Sequence, residues 1–222
     1  MLTKENPVSS FLAAGTVSAV KIFGNDHVFK VRPTPSNNFA RKAFDIEVRA
    51  YERLCGHPRI ATLREITDDG IVLEWGECLR QNLQTLEPGE IEMHTRLRLA
   101  REAAEGLCHI HPMRIIHADS HKIYRFAGSG IDGEPPWVCY EWFAYRPGSS
   151  PNVETDIFAF GSTLFEIESG HVPYHELAEE LFSAKEYPNV ENLILGDIIT
   201  RCWDGDYCSI NEVGKHLSQI EQ

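Results

Sequence analysis

The sequence predicts an α+β chain in two parts, a small one rich in strands and a larger one built from helices. Three observations predict it. The N-terminal third alternates β-branched runs with tight-turn compositions and carries a single amphipathic helix pattern. Beyond residue 76 the strand patterns stop and long apolar-periodic stretches take over. The length of 222 residues, with 42% hydrophobic and 24% charged content, suits one large domain or two small lobes with a real core.

Each element has its own signature. The first 35 residues read as strands: "GTVSAVKIF" and "HVFKVRP" are β-branched runs split by "GND", which predicts an antiparallel hairpin. A helix follows over "NNFARKAFDIEVRAYERL", where Phe44, Glu47, Tyr51 and Leu54 recur at helical spacing, and the Gly and Pro of "CGHPRI" stop it. Two further short strands fit "ATLREIT" and "GIVLEW", split by "DDG". The joint between the two parts falls near Gly76–Cys78. "EIEMHTRLRLAREAAEGLCHIHPM" then predicts a long amphipathic helix with Leu97, Ala100, Ala104 and Leu107 on one face. "TDIFAFGSTLFEIESG" is apolar nearly all round, as a helix buried on most sides would be. "NLILGDIITRCW" and "SINEVGKHLSQI" read as two more helices, with "WDGDY" a turn between them because it lacks the length of a calcium loop.

A net charge of −12 argues against nucleic acid or an anionic membrane surface as the main partner. The six cysteines (55, 78, 108, 139, 202 and 208) form no Cys-x-x-Cys pair, and Cys202 and Cys208 lack neighbours at zinc spacing. Scattered cysteines of this kind are expected to be small core residues of a reducing compartment. His109 and His111 stand two apart and do not share a helix face, so no metal site is expected there. The N-terminus lacks the basic and apolar regions of a signal peptide, and no run approaches the ~20 apolar residues of a membrane span. A cytoplasmic location is expected.

The order of these elements, and the residues at particular points in them, resembles the protein-kinase fold. "LAAGTVSAV" resembles the glycine-rich loop, with Gly15 at the second glycine, Ala13 and Ser18 at the first and third, and Val20 in register. Such loops use glycine because backbone N–H groups must approach phosphate closely. Lys30 stands where the family has the strand lysine that holds the α- and β-phosphates, and Glu47 where it has the helix glutamate that orients that lysine. "GIVLEWGECLRQNL" resembles the linker between lobes, with Leu73 near the gatekeeper position and Glu74 and Gly76 offering backbone groups to an adenine edge. In "TDIFAFGSTLFEIESGHVPY", Asp156 matches the aspartate that, in the family, accepts hydrogen bonds from the catalytic-loop backbone; a carboxylate in so apolar a helix demands some such partner. "ITRCW" resembles a late kinase helix, in which Arg201 would pair with the glutamate of an Ala-Pro-Glu motif. That motif is missing here, "YRPGSSP" being the nearest stretch. The wording of "FAGSGIDG" resembles kinase-like proteins of filamentous fungi. Small-molecule phosphotransferases of the aminoglycoside type also carry His-x-Asp, but the Asp156–Gly161 helix favours the protein-kinase side.

The centre of the chain departs from the family. His117, Ala118 and Asp119 stand where the catalytic loop has His-Arg-Asp, so Asp119 takes the position of the catalytic base and Ala118 replaces the arginine that often meets a phosphorylated loop. Lys122 lies one residue later than the usual loop lysine. Tyr124 stands at the position of the metal-binding Asn, and Arg125, before Phe126, at that of the metal-binding Asp. The stretch between Asp119 and Phe126 is shortened, and the strand pair expected there is missing. Mg²⁺ needs hard oxygen ligands, so it is expected to bind weakly or not at all. Asp132 and Glu134, the next carboxylates, fall in turn chemistry that faces water.

The resemblance therefore implies a bilobal protein-kinase-like domain, with residues 1–76 as the N-lobe and 77–222 as the C-lobe, shortened between the catalytic and metal loops. It implies a pseudokinase with weak or lost ATP binding and a regulatory or interaction role toward a protein partner. The alternatives are an active ATP-dependent kinase phosphorylating protein hydroxyls, or a truncated splice or gene-model form of one. Lys30, Glu47 and Asp119 would be the catalytic set, and Gly15, Val20, Lys30, Leu73, Glu74 and Gly76 the nucleotide site. His117, Asp156 and Arg201 would be structural.

Overall fold

The computed structural model describes residues 8–14, 17–76, 83, 91–118, 126, 129–134, 150–173, 181 and 183–220. Five strands, β1 (Val8–Ala14), β2 (Ala19–Phe23), β3 (His27–Val31), β4 (Leu63–Thr67) and β5 (Gly70–Glu74), make one antiparallel sheet of order β1-β2-β3-β5-β4. The expected hairpin is β2–β3. It turns at Gly24 (φ 68°) and sets Val20 opposite Lys30. On its other side β3 pairs with β5, Lys30 facing Ile71 and Val31 facing Gly70. At Gly70 a Cβ would lie 2.1 Å from the Lys30 carbonyl oxygen, so only glycine lets β5 begin this close to the lysine.

Between β3 and β4 runs α1 (Asn38–Leu54). The Asn37 side chain accepts a hydrogen bond from the Ala40 N–H at 3.0 Å, satisfying one of the free donors of the first turn. The stripe Ala40, Ala43, Phe44, Glu47, Ala50, Tyr51 and Leu54 is buried, with Glu47 the one charge in it.

The remaining elements are mostly helical. α2 (Met93–Ile110) buries Leu97, Ala100, Ala104 and Leu107 as its periodicity predicts, then tightens into a 3₁₀ turn at His111–Met113. Next, β6 (Ile115–Ile116) pairs with β7 (Gly130–Ile131), two strands with no signature in the sequence. α3 (Val153–Ser169) opens with a capping box between Asn152 and Thr155 and closes at Gly170 (φ 76°). α4 (Gly196–Asp204) begins four residues later than its apolar pattern, and α5 (Ile210–Gln219) follows a turn at Gly205. The late start has a physical reason: a Cβ at Gly196 would lie 2.3 Å from the Val190 carbonyl oxygen, so the chain folds back on itself before the helix can begin.

A single apolar cluster runs from Val17 and Phe44 through Leu107 and Ile115 to Trp203 and Leu217, so the sheet part and the helical part share one core. The architecture is α+β, a small β-rich unit with one helix beside a helical one. No helix among the described residues is long and apolar enough to cross a membrane.

Candidate functional site

The site is built where β3, α1 and the β6 end of the helical part meet. Lys30 lies in the middle of the sheet, flanked by β2 and β5, and is 3% exposed; Glu47 in α1 is fully buried. The lysine Nζ donates to both carboxylate oxygens of Glu47. Neither ion could remain charged at such depth alone, and the pairing supplies each with its counter-charge. The result is an ammonium fixed in place with its counter-charge beside it. Val20 stands beside it, half-buried.

One turn along α1 from Glu47, the Tyr51 ring meets Phe126 edge-on at 5.2 Å, and Phe126 meets the His117 ring at the same distance on its other side. All three are buried. This column of rings joins α1 to the segment that leaves β6.

Beneath it lies Asp156, fully buried in the first turn of α3. Its Oδ2 accepts the His117 N–H at 2.7 Å and its Oδ1 the Ala118 N–H at 2.9 Å. His111, on the 3₁₀ turn, brings Nε2 to 3.1 Å from Oδ2. Burial pushes this carboxyl up, but His111, the His117 ring and the backbone donor pull it down further, and it sits below the usual carboxylate range. The two amides converge because Ala118 is left-handed (φ 60°), a conformation that costs an alanine about 1 kcal/mol or more. The Ser129 hydroxyl adds a bond to the His117 carbonyl at 2.9 Å.

The structure thus brings together Lys30 with Glu47, and His117 with Asp156. Leu73 is buried in β5 between Val28 and Leu63. Glu74 ends the strand exposed. Its N–H goes to the Thr62 carbonyl at 3.0 Å and its carboxylate to the Thr62 hydroxyl at 2.6 Å. Hydrogen bonding to Thr62 holds the Glu74 carboxyl below its ordinary value. Gly76 lies exposed just beyond. Arg201 sits apart from these groups. Its guanidinium stacks over the Tyr207 ring at 4.5 Å, and its Nη1 lies 3.3 Å from His216 Nδ1, the atom that the Tyr207 hydroxyl meets at 2.6 Å. Gly15, Asp119, Lys122, Tyr124 and Arg125 lie outside the described residues, as does most of "YRPGSSP".

Two features were not read from the sequence. His111, at which the sequence predicts no metal site, is a partner of Asp156; a histidine just past a helix end carries no signal for this. Asp132 and Glu134 are exposed, as expected of a turn, but both pair with arginines of α1. An Asp-Gly pair is a hairpin signal, and Asp132 and Gly133 both adopt positive φ (54° and 88°) beneath an Ile131–Glu134 bridge. Among the described residues no group of three or more His, Cys, Asp or Glu side chains could hold a metal ion.

The chain matches no protein-family model. Over 194 residues it is 23% identical to the RAF proto-oncogene serine/threonine-protein kinase of Xenopus laevis, an alignment that takes in 74% of this chain and 30% of the relative. The chain therefore spans less than a third of the length of that curated relative. With the strand order and the helical second half, this distant similarity defines the class: an α+β protein-kinase-like fold, with a small β-rich N-lobe and a helical C-lobe.

Proposed function

We propose that this protein is a pseudokinase: a kinase-like scaffold that holds an adenine nucleotide at Lys30 with little or no phosphoryl transfer, and acts through a protein partner. The observation that carries the reading is the buried Lys30–Glu47 pair, a fixed cation facing the strand that bears Val20. A lysine held this way suits the phosphates of ATP, whose adenine would meet the main chain near Glu74 and Gly76. The sequence supports loss of turnover, since Tyr124 and Arg125 stand where the metal ligands of the family belong. The nearest described carboxylates downstream do not fit Mg²⁺ either, because Asp132 and Glu134 are taken up by arginines.

A second reading, an active kinase, draws on Asp156, which braces the backbone just before Asp119. One experiment separates the two. ATP binding is measured by calorimetry with and without Mg²⁺, beside a phosphorylation assay on a generic protein substrate. The wild type is expected to bind ATP with an affinity that ignores Mg²⁺ and to incorporate no phosphate. Lys30→Met, checked for folding by its unfolding transition, is expected to lose at least tenfold in affinity. Val20→Phe, which leaves the ion pair intact, serves as a second blocking variant. Binding tightened by Mg²⁺, with phosphate incorporated, would overturn the pseudokinase reading.

A further inference from the structure

Glu47 is fixed to Lys30 only as firmly as α1 is fixed to the rest of the molecule. On the face of α1 away from the buried stripe, Arg49 and Arg53 stand one turn apart. Arg53 donates to both oxygens of Asp132, at 2.8 and 2.7 Å, and to the Met113 carbonyl at 2.9 Å. Arg49 reaches Glu134 at 3.2 Å and Asp132 at 3.7 Å, and Arg114 approaches Asp132 at 3.9 Å. Three guanidiniums thus close around the two carboxylates of one tight turn.

The turn itself is built to present them. Left-handed Asp132 and Gly133 close the hairpin, the Asp132 N–H is bonded to the Arg114 carbonyl at 3.0 Å, and the Glu134 N–H to Ile131 at 2.9 Å. Exposed single ion pairs contribute little, but a two-pronged guanidinium–carboxylate contact within a network is the favourable exception. The segment is also the one that carries Phe126, whose ring packs on Tyr51. Among the contacts that hold the helix are Lys30 at Glu47, Phe126 at Tyr51, and Asp132 at Arg53.

We propose that the Asp132–Glu134 turn is a built-in anionic clamp on α1, with Arg53 and Asp132 as positioning residues that keep Glu47 on Lys30 without any added charge such as a phosphate. Its consequence for nucleotide rests on the reading above; its consequence for α1 does not.

The test uses Asp132→Asn, which tolerates the left-handed backbone, together with Arg53→Met and the conservative Arg53→Lys, in the full chain. Hydrogen exchange of the α1 amides is followed first, with α3 to α5 as internal reference. Asp132→Asn and Arg53→Met are expected to speed α1 exchange about five- to tenfold while the reference helices are unchanged, and Arg53→Lys to fall between them and wild type. ATP affinity, measured on the same samples, is expected to weaken in the same order. Unchanged α1 exchange in both charge-removing variants would overturn the clamp. Faster exchange with unaltered ATP affinity would overturn its positioning role. If wild type binds no ATP while α1 exchange responds as expected, the clamp stands and the nucleotide-holding reading fails.

Discussion

Asp156 shows how much one side chain can organise. Two consecutive amides point at one carboxylate, which is what allows Ala118 to remain left-handed in a buried position. Asp156→Ala would leave both amides buried without an acceptor, and His111 without its partner. The expected loss of unfolding free energy is about 3 kcal/mol, read from urea titrations at neutral pH. The folded-state carboxyl is held below its ordinary value, so its contribution is full above the unfolded value of about 3.9 and disappears as pH falls through the folded one. This residue was legible because a carboxylate inside "TDIFAFGSTLF" has to find donors, and the resemblance pointed to the backbone at His117 and Ala118; that His111 is among them was not legible. Lys30 and Glu47 were singled out for a different reason, the resemblance to the strand lysine and helix glutamate of the kinase fold, since the residues alone read as well as two solvated charges. Asp132 lies on an exposed turn as expected, but its arginine partners were not legible, because a turn carboxylate with and without such partners has the same sequence.

The elements that read most clearly were those long enough to show a period. α1, α2 and α3 span 17, 18 and 17 residues, several turns each, and their apolar stripes were plain. β6 and β7 have two residues each, too few to show alternation, and their pairing bridges a stretch of chain that the sequence could not fold back. The packing of α3 on α4 was equally hidden, though its key residue was visible. Gly161 lies where a Cβ would fall 2.7 Å from Cys202 Cβ and 3.2 Å from Trp203 Cδ1. Trp203 is itself held there by a bond from its Nε1 to Ser162 Oγ at 3.1 Å and by the Tyr187 hydroxyl on its carbonyl. Gly161→Ala gains about 1 kcal/mol of helix propensity, but the overlap with a neighbouring Cβ cannot be relieved by turning a side chain, and such overpacking costs about 3 kcal/mol. A net destabilisation of about 2 kcal/mol is expected in thermal or urea unfolding, with the α1 region keeping its relative protection.

Across the whole molecule, the sheet part and the helical part meet in a shared core, and one contact at their junction is expected to respond to pH. His57, in the loop between α1 and β4, stacks on His109 of α2 with ring centroids 4.3 Å apart and planes 11° apart. Around them stand Glu105 and Arg59, which pair at 2.9 Å, and Glu102, which also meets Arg59. Burial lowers the affinity of His57 for a proton, the neighbouring His109 and Arg59 lower it further, and Glu105 only partly compensates. Two stacked imidazoles can share a face while uncharged, whereas protonating both sets like charges against each other. The folded-state value of His57 therefore lies below the unfolded one of about 6.5, and the unfolded chain binds the extra proton first. The stability carried by the stack is complete above that pH and is lost as pH falls through the folded value. Unfolding midpoints measured from pH 8 down to 5 are expected to decline for wild type and to decline less steeply for His57→Phe, whose ring keeps the stack but cannot titrate. The difference between the two profiles therefore belongs to this contact. Parallel profiles would mean that protonation at the junction costs nothing.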